Sequence, residues 1–319
     1  MNRLQRQGWH TLYVDIMPTA SFQDFVNELA KAVIGKLDSK PAGIIKKAIQ
    51  LFSSLRPVIS VDALTGQPEV SITLDDEKHS SQTLDKIFGY LASQSKQKKI
   101  VIAIDEFQQI TTYPEKNTEA NLRSRIQHLQ KIHFIFSGSS RHLLSSMFSE
   151  HKRPFYQSAQ MLYIDRINPD SYKSFIHKKF AAGKRKINDA EIDFILEWTR
   201  HHTWYSQYVC NKLYSTGEKK ITRELVNHTL YRILLELEPN FYNYRNLLTL
   251  QQWNLLEALA KEKETTEILS QKFIGKHKLT ATSTVKSALK VLIDREMILH
   301  ENKSYLVYDV FLSRWMERL

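Results

Sequence analysis

Residues 98–110 read KKIVIAIDEFQQI. Five apolar residues, Ile100 to Ile104, run directly into two acids, Asp105 and Glu106. A short apolar run of this kind, rich in β-branched residues, reads as a fully buried strand. Two readings of the acids are open. They mark the exit of the strand to solvent, or they hold a metal ion and a water molecule.

The flanking sequence supplies the setting. WHTLYVD (9–15) reads as a strand, and SFQDFVNELAKAVIGKL (21–37) as an amphipathic helix. Ser21 is its cap, and Phe22, Phe25, Val26, Leu29, Ala30, Val33 and Ile34 keep helical spacing. Residues 41–54 repeat that pattern. PVISVDALTGQPEVSITLD (57–75) reads as a hairpin with a Thr65-Gly66-Gln67-Pro68 turn. The helix SSQTLDKIFGYLASQSK leads to the opening strand, a helix over 118–130 to the strand IHFIFSG, and a helix over 140–148 to a short strand, MLYID (161–165). Buried strands separated by helices predict a parallel sheet covered on both faces.

Beyond Asp165 the pattern becomes helical. NPDSYKSFIHKKF, NDAEIDFILEWTR, WYSQYVCNKLYS and TRELVNHTLYRILLELE read as four helices, the last closed by Pro239. TLQQWNLLEALAKE, TEILSQKFIG and TSTVKSALKVLIDREM then give three more, followed by a β segment, ILHENKSYLVYD, turning at Asn302-Lys303. Three helices and a hairpin are the pattern of a winged helix-turn-helix.

Bulk properties narrow the classes. The 319 residues are 42% hydrophobic, enough for two or three domains. A net charge of +11 favours polyanionic partners. A lone cysteine, Cys210, rules out an intrachain disulfide framework and fits a cytoplasmic setting. No signal peptide and no bilayer-spanning run is legible.

In an open α/β sheet, ligands bind at the carboxyl ends of the strands, where Asp105 and Glu106 sit. A nucleotide site needs one carboxylate to hold Mg²⁺ through waters and a base to orient the attacking water. The following strand ends in Ser137, Gly138, Ser139 and Ser140. A hydroxyl there can touch a phosphate or a water, or simply cap the next helix. Arg153 in HKRPFYQSA is a candidate phosphate-reaching arginine or part of a solvated basic loop. His201 and His202 have metal-ligand chemistry but no matching Cys, Asp or Glu cluster. From Arg166 to Lys186, six of the residues are Lys173, Lys178, Lys179, Lys184, Arg185 and Lys186 against the single acid Asp170, a run suited to nucleic acid or to a solvated helix face. The third winged-helix segment mixes Lys286, Lys290 and Arg295 with Asp294 and Glu296, which leaves DNA and protein docking both open.

The chain resembles the archaeal-type ATPases, AAA+-like P-loop proteins placed near the STAND class. The resemblance is carried by YVDIM…SFQDFVNELA, KKIVIAIDEFQQI, HFIFSGSSRHLLSSMF, RPFYQSAQMLYIDRINPDSY and YLVYDVFLSRWM. It implies a P-loop NTPase-like α/β core without its first strand (1–165), a helical lid (166–240) and a C-terminal winged helix (241–319). It further implies ATP and Mg²⁺ as cofactors and an arrangement that includes oligomers. Under it, DEF is the Walker B motif, with Asp105 on Mg²⁺ and Glu106 as catalytic base. Ser137 stands at the sensor 1 position, and Arg153 where such proteins carry an Arg-Pro pair. HHTWYSQY, with His202 as a nucleotide-contact candidate, stands at the sensor 2 position, here without Gly or Pro.

One departure is large. The family's phosphate cradle is G-x-x-x-x-G-K-[ST]. Gly35-Lys36, Gly183-Lys184 and Gly275-Lys276 are not followed by Ser or Thr, and none has a glycine five residues earlier. The sequence begins where the helix after such a loop would end. An internal start, a truncation or a trimmed piece is therefore the expectation, with an impaired ATPase as its consequence. A non-enzymatic DNA- or protein-binding regulator is the competing one. Without the loop strand, IHFIFS and MLYID are expected to be unpaired apolar edges.

Overall fold

The computed structural model describes residues 1–37, 56–61, 68–73, 77–301 and 303–319. The helix expected over 41–54 and the turn residues 62–67 lie outside the described residues, as does Asn302. The chain divides into two compact units, 1–163 and 164–319.

The first unit is built on a three-stranded parallel sheet of β1 (His10–Asp15), β4 (Ile100–Asp105) and β5 (Ile132–Phe136), in the order β1-β4-β5. Leu12, Ile102 and Phe134 lie side by side on one face, as do Val14, Ile104 and Phe136. Against that face pack α2 (Phe22–Leu37) and α3 (Glu77–Gln94), through Phe25, Val26, Leu29, Leu84, Ile87 and Leu91, all fully buried. Burying such side chains supplies about 1.5–3 kcal/mol each. The predicted cap of α2 is present: the Asp24 amide donates to Ser21 Oγ (3.1 Å), and Asp24 Oδ2 accepts from the Ala20 amide (3.0 Å). A separate antiparallel pair, β2 (Arg56–Val61) and β3 (Pro68–Thr73), forms the two arms expected of the hairpin.

Two expectations for this unit fail. The sheet is not covered on both faces: Tyr13 (50% exposed) and Ile135 (45%) lie open on the second face. Both long helices pack on the first face. On the second, α1 (Asn2–Arg6) spans only five residues, and Gln5 Nε2 reaches Thr11 Oγ1 (2.7 Å) near the strand's start. A helix that short extends only about 7–8 Å and cannot roof a strand. The segment 161–165 is irregular rather than a strand, with Leu162 and Ile164 each 85% exposed. A strand needs a neighbour for its backbone N–H and C=O groups. Among the described residues the sheet stops at β5.

The second unit holds α6 (Pro169–Ala182), α7 (Asp189–Trp198), α8 (Thr203–Ser215) and α9 (Arg223–Leu247), preceded in the first unit by α4 (Thr118–Ile126) and α5 (Arg141–Ser149). The two-residue strands β6 (Lys186–Ile187) and β7 (Lys220–Ile221) pair in parallel. Then come α10 (Leu250–Glu262), α11 (Gln271–Lys276), α12 (Thr282–Asp294), the hairpin β8 (Ile298–Glu301) and β9 (Ser304–Val307), and α13 (Val310–Met316). Thr249 and Gln252 form a capping box at the start of α10. The helix expected over 266–275 is the shorter α11, capped by Ser270.

Pro239 does not end its helix. It lies inside α9, which runs 25 residues and crosses the expected boundary at 240. Proline removes one ladder hydrogen bond, and packing onto α13 holds the helix through it. Glu238 Oε1 accepts from Trp315 Nε1 (2.9 Å), while Phe241 and Tyr242 sit 5.4 Å from the Trp315 ring. The Arg200 guanidinium donates to the Val307 carbonyl and to Ser313 Oγ, both at 2.7 Å. One apolar core therefore runs from Tyr172 to Met316.

Candidate functional site

The carboxyl end of β4 gathers the polar groups of the first unit. Asp105 is the last residue of the strand and lies in register with Asp15. Its Oδ2 accepts from the Tyr13 hydroxyl (2.6 Å), and its Oδ1 accepts from Ser137 Oγ (2.7 Å) and the Glu106 amide (3.1 Å). Burial works against ionisation of this carboxyl, but the three donors outweigh it and hold it below its usual range. Asp105 is an anion at neutral pH. The same contact, with burial and the Asp105 charge, pushes the Tyr13 hydroxyl up to about 12.

Glu106 leaves the strand in a left-handed conformation, φ 55° and ψ 39°. A side chain there costs roughly 1–2 kcal/mol. The turn is fixed by the Phe107 amide donating to the Ser137 carbonyl (2.9 Å) and by Phe107, which is fully buried against Phe136 and Phe155. The Glu106 Oε2 accepts from Gln108 Nε2 (2.5 Å), Ser139 Oγ (2.9 Å) and the Ser139 amide (3.3 Å). Gly138 makes room for this: a Cβ there would lie 1.9 Å from Gln108 Oε1. That oxygen is buried without a hydrogen-bond partner.

The structure thus brings Asp105, Glu106 and Ser137 together. It adds Tyr13, Gln108 and Ser139, which the residue pattern alone did not single out as ligands of the two acids. Ser140 precedes α5 by position, yet its side chain makes no capping bond. Arg153 is engaged elsewhere: its Nη1 pairs with Glu119 Oε1 at 2.9 Å. Burial raises the Glu119 carboxyl above its usual range; Arg153 pulls it down, and Glu150 pushes it up. His202 belongs to the second unit, where it precedes α8 and meets the Tyr205 ring edge-on at 4.9 Å. Burial, then Arg166, lower its pKa against the pull of Asp309.

The donor set suits a hard cation in part. Asp105 is an ionised oxygen ligand with one Oδ2 lone pair left over, and Asp15 and Glu106 add negative charge. Mg²⁺ is bound by one or two carboxylates with waters and substrate phosphates completing its shell. No group of three or more His, Cys, Asp or Glu side chains able to hold a metal by itself occurs among the described residues. The phosphate-holding half of such a site is a glycine-rich backbone cradle, and the 319 residues contain no such motif.

Two family profiles match this chain, an AAA domain over residues 54–166 and a probable winged helix domain over residues 239–318. The fold is similar to that of a Walker-type ATPase of Pyrococcus abyssi, with a TM-score of 0.63 at 14% identity, covering 99% of this chain and 85% of that one. The chain carries an AAA domain and a C-terminal winged helix domain. The ORC2 protein of Aeropyrum pernix is similar at a TM-score of 0.51 and 10% identity, covering 99% of this chain and 80% of that one. No curated protein sequence matches. Within the AAA+ fold, the sheet with its C-terminal winged helix is the architecture the sequence predicts. Among the described residues no helix is long and apolar enough to cross a membrane.

Proposed function

We propose that the chain carries the hydrolytic half of an ATP-binding, ATP-hydrolysing AAA+ site, in a cytoplasmic protein. The observation behind this is the Tyr13–Asp105–Ser137 network beside the separately held Glu106. Asp105, kept ionised, is the Mg²⁺-side carboxylate acting through water. The Glu106 carboxylate is held by Gln108 and Ser139 and shares none of the donors to the Asp105 carboxylate; in this reading it is the base that accepts a proton from water. Ser137 couples the two strands by donating to Asp105, and Ser139 orients Glu106. Mg²⁺, when bound, would neutralise phosphate charge. Arg153, held by Glu119, reaches a phosphate only by giving up that ion pair.

These residues do not supply the phosphate cradle, so the chain by itself binds nucleotide poorly. Carboxylates alone repel a polyanion. Calorimetric titration of ATP·Mg²⁺ into the 319-residue chain is expected to give a Kd weaker than about 1 mM. Micromolar affinity would overturn this reading.

A second reading follows from the same missing cradle and from the winged helix: a non-enzymatic regulator that docks on DNA or protein. Glu106→Gln separates the two in a form that binds nucleotide. Loss of turnover with binding retained supports hydrolysis, and an unchanged variant supports the regulator.

A further inference from the structure

The second unit carries a ledge of lysines that neither its core nor the winged helix uses. The chain turns from α6 directly into β6 through Gly183, Lys184 and Arg185. β6 pairs in parallel with β7, placing Lys186 opposite Lys220 and Ile187 opposite Ile221. The two isoleucines are buried, at 5% and 1% exposure, and this fixes the register. Both lysines are thereby forced onto the solvent side of neighbouring strands, about 5 Å apart at the backbone. Like charges across a strand pair repel, and burying the isoleucines would be served equally by neutral polar partners.

The rest of the ledge adds charge of the same sign. Lys178, Lys179, Lys184 and Lys219 are exposed around the pair. No acidic partner within ion-pair distance is found for these four, Lys186 or Lys220 among the described residues. Of the acids that follow the two strands, Asp189 pairs with Lys173 and His177 and Asp193 with Lys173, while among the described residues Glu191 and Glu224 make no ion pair with any of the six lysines. Glu218 is the acid of the β7 approach. Arg185 is held rather than free, with its guanidinium stacked 3.8 Å from the Tyr214 ring centroid. Tyr214 fits there because residue 183 has no side chain; a Cβ would meet its hydroxyl at 2.1 Å. Lys184 sits in the left-handed region, φ 57°, where a lysine is strained.

We infer that this ledge, Lys178, Lys179, Lys184, Lys186, Lys219 and Lys220, is a docking surface for the phosphate backbone of duplex DNA. Flexible lysine ammonium groups without a pocket or a bidentate arginine neutralise phosphates but read no bases. A lipid surface would call for an apolar face beside the charges, and Phe175 is the one large apolar side chain exposed on α6. The six lysines lie outside the residues matched as a winged helix domain, 239–318.

The test is fluorescence anisotropy of a labelled 30-base-pair duplex of arbitrary sequence, titrated with the full chain over a series of salt concentrations. Lys184→Gln, Lys186→Gln, Lys219→Gln and Lys220→Gln combined should lower the slope of log K against log salt by about 2–4. Affinity should fall at least about tenfold, equally for unrelated sequences. The same four positions changed to Arg should keep both slope and affinity. Lys219→Gln with Lys220→Gln, measured alongside, gives a slope loss of about 1–2 should the fourfold variant fail to fold. No binding by the unmodified chain at low salt, or a Gln variant indistinguishable from it, overturns the inference. So does binding to phosphatidylserine vesicles without binding to the duplex.

Discussion

Tyr13→Phe removes one donor from Asp105 and nothing else that the structure assigns to that hydroxyl. A hydrogen bond to a charged group contributes about 1.5–3 kcal/mol when shielded. Tyr13 is half exposed and water can take its place, so the loss reduces to about 0.5–1 kcal/mol at neutral pH. The pH dependence follows from the depressed pKa of Asp105. Stability from this group is present above the unfolded-state carboxyl pKa, near 4, and is lost as pH falls through the lower folded value. Tyr13→Phe should therefore cost stability at pH 7 and nothing once Asp105 is protonated in both states. Urea unfolding at pH 7 and at a pH below the Asp105 titration, located by ¹³C-carboxyl NMR of Asp105, measures both. The Asp105 pKa is expected to rise toward its usual value when the Tyr13 donor is lost. An unchanged Asp105 titration, or an equal loss at both pH values, would refute the assigned role of Tyr13.

Arg153→Ala should destabilise the first unit by about 1–3 kcal/mol, because Glu119 is left 12% exposed without its cation. Adding Glu119→Gln should restore most of that, and a double-mutant cycle with no coupling would contradict the pairing. Gly138→Ala puts a Cβ onto the buried Gln108 side chain and breaks its bond to Glu106. A cost of about 1–2 kcal/mol in urea unfolding is expected. Burial pushes the Cys210 thiol up to about 12, so Ellman's reagent should react with this partly buried thiol far more slowly than with a free cysteine at the same pH.

Much of the fold was legible because it rests on local signals. The apolar run of β4 is too short for a helix and too apolar for a loop, and the Ser21 cap and the winged-helix periodicity are equally local. The misses depend on partners distant in sequence. Segment 161–165 has strand composition, yet composition supplies no neighbour to bond with. Pro239 reads as a stop until Trp315 is seen packing on α9. The two-residue pair β6–β7 and the one-sided cover of the sheet have no periodicity to read. At the site, the acids and Ser137 followed from strand order. Tyr13 did not: it meets Asp105 only once β1 is laid against β4 in register, 92 residues apart. Glu106 was placed by its motif, whereas its left-handed turn comes from Phe107 being drawn into the core.

The central claim is that Asp105 is the metal-facing acid at the end of β4. Mn²⁺, a paramagnetic stand-in for Mg²⁺, titrated into ¹⁵N-labelled chain tests it most directly. The account predicts weak binding, with line broadening centred on the amides of residues 105–106 and 137–139 and abolished by Asp105→Asn. Broadening centred elsewhere, or unchanged in Asp105→Asn, would contradict it.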